Sequence, residues 1–347
     1  MAKAMPGARS ATSYKVTIGS RTFSQDESDG LEHLVIEDHV DMVESLACRL
    51  AGNEGQPKWE IKIGDAVEAK LGAGDVVIFK GEVIAVEPSW SIDGLMTMTV
   101  RALDHAHRLA RGRKTRFFEQ KKDSDVASTV GAESNLSVET DPTEEVHPYI
   151  LQRNESNLAF LKRLAARNNF QVAVDEGKLI FKKAAFSGSP TTLTMGKDLR
   201  SLRMGFNSME QVDQVIVRGW CIREKKEIVG TASSGDIEKI GGGELGSSTS
   251  TSKFGAHIAY VTDVPVGSQA QANAVAKAEL NRLARQYAHG TGTVDGNDGL
   301  RAGQVVEFAG LTTSHNGKFY IISTRHIISP TTGYLTEFTF CSNTAGT

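Results

Sequence analysis

Gly64-Asp65-Ala66-Val67-Glu68 and Gly303-Gln304-Val305-Val306-Glu307 are the two stretches whose comparison decides the fold. Each opens on a glycine, which takes positive φ in a tight turn without steric cost, and runs into an alternating strand. The first is followed by Phe79-Lys80-Gly81-Glu82-Val83-Ile84, then by Gly94-Leu95-Met96-Thr97-Met98-Thr99-Val100. The second is followed by His315-Asn316-Gly317-Lys318-Phe319-Tyr320-Ile321, then by Gly333-Tyr334-Leu335-Thr336-Glu337-Phe338-Thr339-Phe340. Successive matched glycines lie 17 and 13 residues apart in the first copy and 14 and 16 in the second, as variable loops between constant strands would leave them. This pattern reads as an internal duplication. The fold class is therefore α+β, mainly β, with two related antiparallel β-barrel domains and an α/β insert between them. A closed trimer of such chains presents six similar units around one axis, an adaptor between threefold and sixfold objects.

Working outward, the polar N-terminus 1–13 is expected to be flexible. Tyr14 to Ile18, Glu60 to Ile63, Val83 to Val86 and Leu95 to Leu103 alternate as strands, with turn chemistry at Gly64-Asp65, Gly72 to Asp75 and Asp93-Gly94. Residues 14–104 thus form the first barrel domain. The section 105–198 is a helical and hairpin insert. Its clearest helix spans Asn157 to Asn168, with Ser156 as N-cap, Asn168-Asn169 as a left-handed stop, and Leu158, Phe160, Leu161, Leu164 and Ala165 as its apolar stripe. A hairpin over Phe170 to Phe181 follows. The last section, 199–347, is a second barrel domain. It contains a Gly/Ser/Thr-rich stretch, 230–255, expected to be a flexible loop because so little apolar surface cannot offset the entropy of ordering. A helix over 268–287 follows, with Val275, Ala276, Leu280, Leu283 and Tyr287 facing the sheet.

The chain has 347 residues, 39% hydrophobic and 23% charged, with a formal net charge of −3. These values are ordinary for a soluble protein and give no global reason to expect nucleic acid as a partner. The longest apolar runs, such as Val76-Val77-Ile78-Phe79, are strand-length, so no membrane-spanning segment is expected. The N-terminus lacks the apolar stretch of a secretory signal, which makes assembly in the cytoplasm the expectation. Cys48, Cys221 and Cys341 are sparse and in no metal or disulfide spacing, and Cys221 reads as packing.

The segment Ile150-Leu151-Gln152-Arg153-Asn154-Glu155-Ser156-Asn157-Leu158-Ala159-Phe160-Leu161-Lys162-Arg163-Leu164-Ala165 resembles the phage late control gene D proteins and the hub part of type VI secretion valine–glycine-repeat spike proteins. Leu300 to Val306, Asn316 to Ile321, Arg325-His326 and Tyr334 to Phe338 are similar to that family's last barrel. The resemblance covers roughly residues 10 to 345. It singles out Ser156, Leu158, Phe160, Leu161, Leu164, Gly303, Val306, Gly317, Phe319 and Tyr334 as family-signature structural residues. It implies a homotrimeric baseplate hub of a phage virion, tailocin or injection particle. The expected partners are a separate spike protein, a tail tube or tube-initiator protein, and baseplate wedge proteins. A separate spike is expected because the chain stops at Thr347, with no oligonucleotide-fold domain or β-helix needle.

Chemistry is sparse. There is no HExxH, GxSxG or GxxxxGK[ST] motif, so no catalytic residue, cofactor or metal is expected. His105 and His107 lack a third ligand at a recognisable spacing, and His326 reads as structural or interfacial. Two other readings stay open. One is a peptidoglycan-degrading hydrolase using exposed carboxylates among Glu139, Asp141, Glu144 and Glu145. The other is an oligonucleotide-binding barrel using the basic run Arg108 to Lys122.

Overall fold

The structure, a computed structural model, describes residues 13–25, 30–52, 60–92, 96–175, 177–186, 188–222 and 224–346. The expected flexible N-terminus (residues 1–12), the Asp93-Gly94-Leu95 turn and Glu176 of the insert hairpin lie outside the described residues.

The first section supplies β1 (Tyr14–Ile18), β2 (Arg21–Ser24), β3 (Leu31–His39) and β4 (Ser45–Gly52). It closes with β5 (Ala66–Leu71), β6 (Val76–Trp90) and β7 (Met96–Leu103). The middle carries α1 (His107–Ala110), β8 (Lys114–Lys121), α2 (Asp123–Glu133), β9 (Ser137–Thr140) and β10 (His147–Glu155). It continues through α3 (Asn157–Asn168), β11 (Phe170–Asp175) and β12 (Lys178–Lys183). Next come β13 (Thr191–Thr194), β14 (Leu199–Phe206), β15 (Gln214–Cys221) and β16 (Lys226–Ser233). β17 (Glu244–Leu245), α4 (Gly246–Phe254), β18 (Ile258–Val261) and α5 (Gln269–Ala284) precede the last strands. Those are β19 (Ala288–Asp295), β20 (Val305–Ala309), β21 (Gly317–Ser329), β22 (Gly333–Ser342) and β23 (Thr344–Ala345).

One 13-stranded sheet runs β14-β19-β22-β21-β3-β4-β7-β6-β5-β1-β2, with β20 on β21 and β13 parallel beside β20. The duplication is visible within it as two copies of one strand order, β3-β4-β7-β6-β5 and β14-β19-β22-β21-β20. The copies agree residue by residue. Gly64 N–H donates to Val83 O at 2.8 Å and Val83 N–H to Asp65 O at 2.9 Å. Gly303 N–H donates to Ile321 O at 2.9 Å and Ile321 N–H to Gln304 O at 2.8 Å. A β-bulge follows at once in both, between Val83 and Ala85 and between Ile321 and Ser323. Another interrupts β3 between Leu31 and His33, and β14 between Leu199 and Ser201. A bulge leaves one residue unpaired and bends its strand, so matched bulges curl the two halves alike.

Register also corrects the glycine alignment. Gly81 faces Val67 as Phe319 faces Val306, while Gly317 faces Phe308 as Phe79 faces Ala69. The two glycines have different jobs. A Cβ on Gly81 would lie 2.2 Å from Leu103 O, whereas Gly317 takes φ +139°. The cores differ by compensating exchange. Leu46 opposite Ala102 and Cys48 opposite Val100 in the first half become Gly290 opposite Phe340 and Gly292 opposite Phe338 in the last. A Cβ on Gly292 would meet the Phe338 ring at 2.2 Å, so volume is kept while identity is lost.

Three expectations need correction. Glu60 to Ile63 is no strand, because the Asp65 carboxylate captures Lys62 N–H at 2.8 Å and folds the backbone into a turn. Thr191–Thr194, expected in the insert, pairs with β20 of the last barrel. The stretch 230–255 is not a loop: it holds the end of β16, β17 and α4. Its glycines allow close approach rather than looseness. A Cβ on Gly230 would lie 2.2 Å from the Ala272 backbone, one on Gly243 1.9 Å from Ala345 O, and one on Gly246 2.2 Å from the Tyr287 ring.

The insert keeps its own core. Phe160, Leu161, Leu164 and Ala165 of α3 pack with Val126, Val130, Val172 and Phe181. Ser156 Oγ accepts Ala159 N–H at 3.2 Å, and Asn169 closes the helix in the left-handed conformation, φ 55°. α5 lies on the small sheet β16-β15-β18, with Val275, Ala276, Leu280 and Leu283 buried. Among the described residues no helix is long and apolar enough to cross a membrane.

Candidate functional site

The two halves of the sheet meet where β3 pairs with β21, from Ser323 opposite His39 to Ile328 opposite Leu34. A largely buried cation bridges that seam, besides the exposed pair Arg325–Glu37. Arg301, just before the Gly303 turn, donates from Nε to Asp38 Oδ2 at 3.1 Å and from Nη2 to Glu44 Oε1 at 2.8 Å. Its Nη1 donates to Ile78 O at 2.8 Å, so one guanidinium ties the last barrel to β3, β6 and the turn before β4. Asp104 joins the group by accepting Glu44 N–H at 3.2 Å and Ala106 N–H at 2.8 Å.

Two carboxyl groups, Asp38 and Glu44, share one guanidinium here, and a third, Asp104, is held beside them by backbone donors. Burial, with Asp38 beside it, pushes the Glu44 carboxyl well above the ordinary carboxylate range, against the pull of Arg301. Burial also raises Asp104, to about 7, although two backbone N–H donors favour its ionised form. A cleft of about 490 Å³ opens over the group, between the first barrel, β11, β12 and the residues around Arg301. Each of these side chains is occupied in holding elements together, so the arrangement is suited to fastening rather than to proton transfer.

A second ionic centre lies inside the insert. Asp123, at the start of α2, is 1% exposed and accepts from Arg167 Nε and Asn168 Nδ2, both at 2.7 Å, with His147 Nε2 at 3.5 Å. Burial alone would raise its pKa, but these donors outweigh burial and hold it at about 2. The sign follows. A carboxyl with a depressed folded pKa contributes stability that is present above its unfolded value and lost as pH falls through the folded one. In acid titration the parent is expected to lose about 2 kcal/mol more stability than Asp123→Asn between about pH 5 and pH 2. Equal losses, followed by urea unfolding at each pH, would refute it.

The residues expected to form a family signature fall into caps, turns and cores. Ser156 caps α3, with Phe160, Leu161 and Leu164 fully buried beneath and Leu158 packed at the edge of the same core. Gly303 holds φ +86° at the second barrel's leading turn. Val306 and Phe319 are buried opposite each other. Tyr334 and His326 are buried together at 2.9 Å from Oη to Nδ1, and burial lowers the His326 pKa to about 4. The structure does not gather these residues at one place.

His105 and His107 both approach one carboxylate, Glu82, at 3.7 and 3.3 Å, where Arg108 also binds. The basic run is drawn into local pairs: Arg111 donates to His107 Nδ1, Arg113 to Asn154 O, and Lys114 and Arg116 to Glu133. Of the acidic set, Glu139 binds Lys178 and Lys182, Asp141 accepts Lys183 N–H, and Glu145 accepts Ser268 Oγ–H. Cys221 is half-buried at the end of β15. The seam residues Asp38, Glu44, Asp104 and Arg301 were not picked out from the sequence.

Comparison with known proteins agrees with this geometry. The prophage MuSo2 43 kDa tail protein from Shewanella oneidensis superposes with a TM-score of 0.73 at 15% identity, over 95% of this chain and 98% of that one. The tail protein from Neisseria meningitidis MC58 gives 0.73 at 13%, over 96% and 97%. In sequence, the "Probable baseplate hub protein" of Escherichia phage 186 is 27% identical over 184 residues, 51% of this chain. That match spans 46% of the relative, less than half its length. Fold and sequence together define a tail protein of the baseplate-hub class. Residues 60–330 match the family model described as the Alg8 N-terminal domain, and the chain belongs to that family.

Proposed function

We propose that this chain is a non-enzymatic structural hub subunit, three copies of which form a pseudo-sixfold ring joining a sixfold tail tube to a threefold spike. The observation that carries this reading is the register-matched duplication, which places two equivalent barrels in tandem on one sheet. A trimer of tandem barrels offers six near-equivalent units to a sixfold partner while remaining threefold to the other side. The hub name carried by the phage 186 relative points the same way. Tube or tube-initiator, spike and wedge proteins are the partners this reading requires. Assembly in the cytoplasm and residence in a virion, tailocin or injection particle belong to it as well. So does the division into a first barrel (14–104), an insert (105–198, less Thr191–Thr194) and a last section to 347. It is supported by apolar clusters centred in each part, with Ile328 and Tyr334 of the last section joining the first.

Symmetry-resolved electron microscopy of the purified chain, alone and with its spike, is the test. Three copies around a central pore are expected. A chain that stays monomeric at high concentration with and without the spike overturns the proposal.

A further inference from the structure

We propose that the turn between β3 and β4, residues 40–44, is a proton-operated latch. With one proton shared between Asp38 and Glu44 it clasps the insert to both barrels; loss of that proton releases the insert and opens the cleft over Arg301.

The turn is gripped from three sides. Val43 packs against the core of the insert, and Lys162 of α3 donates to Asp41 O. Glu44 N–H donates to Asp104, where the chain passes into the insert. The Glu44 carboxyl accepts from Arg301 of the last section, and Asp38 beside it accepts from Arg301 Nε and, at 3.0 Å, from Ala302 N–H. Further polar ties between the insert and the last section involve one pair of side chains each. Gln171 accepts from Tyr320 Oη at 2.9 Å, Asn169 from Arg285 at 3.0 Å, and Glu145 from Ser268 Oγ at 2.5 Å. The turn joins all three parts of the chain at once.

Its charge does not balance without a proton. Asp38 is 8% and Asp104 4% exposed, and the Glu44 side chain 17%, around one guanidinium. The Glu44 carboxyl also hydrogen-bonds that of Asp38. Two ionised carboxylates are both acceptors and make no such bond, so one of the pair carries a hydrogen. The charged groups on the cleft walls are His39 on β3, Lys80 on β6, His105 after β7, Asp175 on β11, and Lys182 and Lys183 on β12. Lys80 and Lys182 are paired with Glu68 and Glu139, and Asp175 adds negative charge. Burial holds the imidazoles of His39 and of His326 on β21 toward the neutral form. Loss of the proton therefore leaves two buried like charges on one cation. Glu44 relieves this by turning out into the cleft of about 490 Å³, and the turn moves with it.

The direction with pH is definite. Burial and Asp38 make Glu44 hold its proton more tightly in the clasped form than in the open one. Such a group favours the clasped form fully below its open-form pKa and ceases to do so as pH rises through the raised one. Beyond that point the ratio of closed to open forms falls about tenfold per pH unit.

The test is the separation of two spin labels, on Ile63→Cys in the first barrel and Lys178→Cys in the insert hairpin, in a Cys221→Ser chain. Ile63 is 71% exposed and the Lys178 side chain 50%, while Cys48 and Cys341 are buried. One short separation is expected at neutral pH. A longer one should grow in the alkaline range with an unchanged circular dichroism spectrum. Glu44→Gln keeps an acceptor for Arg301 and an N–H for Asp38 but has no proton to lose, so it should hold the short separation throughout. Asp104→Asn removes a charge that helps Glu44 keep its proton, so its longer separation should appear at lower pH than in the parent. If Glu44→Gln does not fold, that shift decides. A parent separation unchanged up to about pH 10 overturns the latch. So does Glu44→Gln opening at the same pH as the parent, or an Asp104→Asn midpoint at or above the parental one. A longer separation that appears only with loss of the dichroism spectrum is unfolding, and overturns it too.

Discussion

Arg301→Met is expected to lower stability by about 3–5 kcal/mol at neutral to alkaline pH, the usual cost of removing one partner from a buried ionic group. Methionine keeps much of the stem's volume but leaves Asp38 and Glu44 without their shared cation and Ile78 O without its donor. The deficit should depend on pH in a definite direction. Glu44 and Asp104 have folded pKa values raised above their unfolded ones. Groups of this kind contribute stability below the unfolded value and lose it as pH rises through the folded one. At low pH the carboxyls are neutral in both states and the missing guanidinium matters little. Arg301 draws the Glu44 carboxyl down but does not act on Asp104, so the gap between parent and variant should widen where Glu44 ionises, from neutral into the alkaline range. Urea midpoints that stay equal across that range would show that the seam does not depend on this residue.

Phe308→Ala is expected to cost about 3–5 kcal/mol through the cavity it leaves. Phe308 is fully buried, with ring centroids 4.8 Å from both Phe319 and Phe340 and 6.0 Å from Phe338. The four rings form the centre of the last barrel, and the close strand contacts around them leave little freedom to collapse. At the matching place in the first barrel, alanine is native as Ala69, fully buried opposite Phe79. The reverse change, Ala69→Phe, should overpack and destabilise by about 1–3 kcal/mol. Thermal or urea unfolding of the two variants measures both. Near-parental stability for Phe308→Ala would mean that the ring cluster contributes far less than its burial implies.

That contrast explains how much of the fold was legible beforehand. The duplication was readable at Gly64 and Gly303, because both hold the same turn by the same hydrogen bonds. It faded further along, since Phe319 stands where Gly81 stands and Gly290 where Leu46 stands. A duplicated backbone constrains the sum of opposing side-chain volumes, not either side chain. Helix α3 was legible because its cap, stripe and stop are local signals. The stretch 230–255 was misread because glycine composition cannot distinguish freedom in the free chain from a requirement for close backbone contact. The ionic seam was hidden for a related reason: Asp38 and Arg301 are 263 positions apart, and nothing in either neighbourhood marks the other as its partner.

The pairing of β3 with β21 also has a consequence for synthesis. The first barrel leaves the ribosome with the outer edge of β3 unsatisfied, and its partner strand is translated only after the insert and most of the second barrel. Ile328 and Tyr334, both late residues, belong to the apolar cluster of that first barrel. Contacts so distant in sequence carry a high loop-closure entropy and slow folding. The N-terminal half should therefore wait, partly formed, and lock only once β21 and β22 have emerged. In that interval its bare β3 edge is the place where misassociation or a holding chaperone would act.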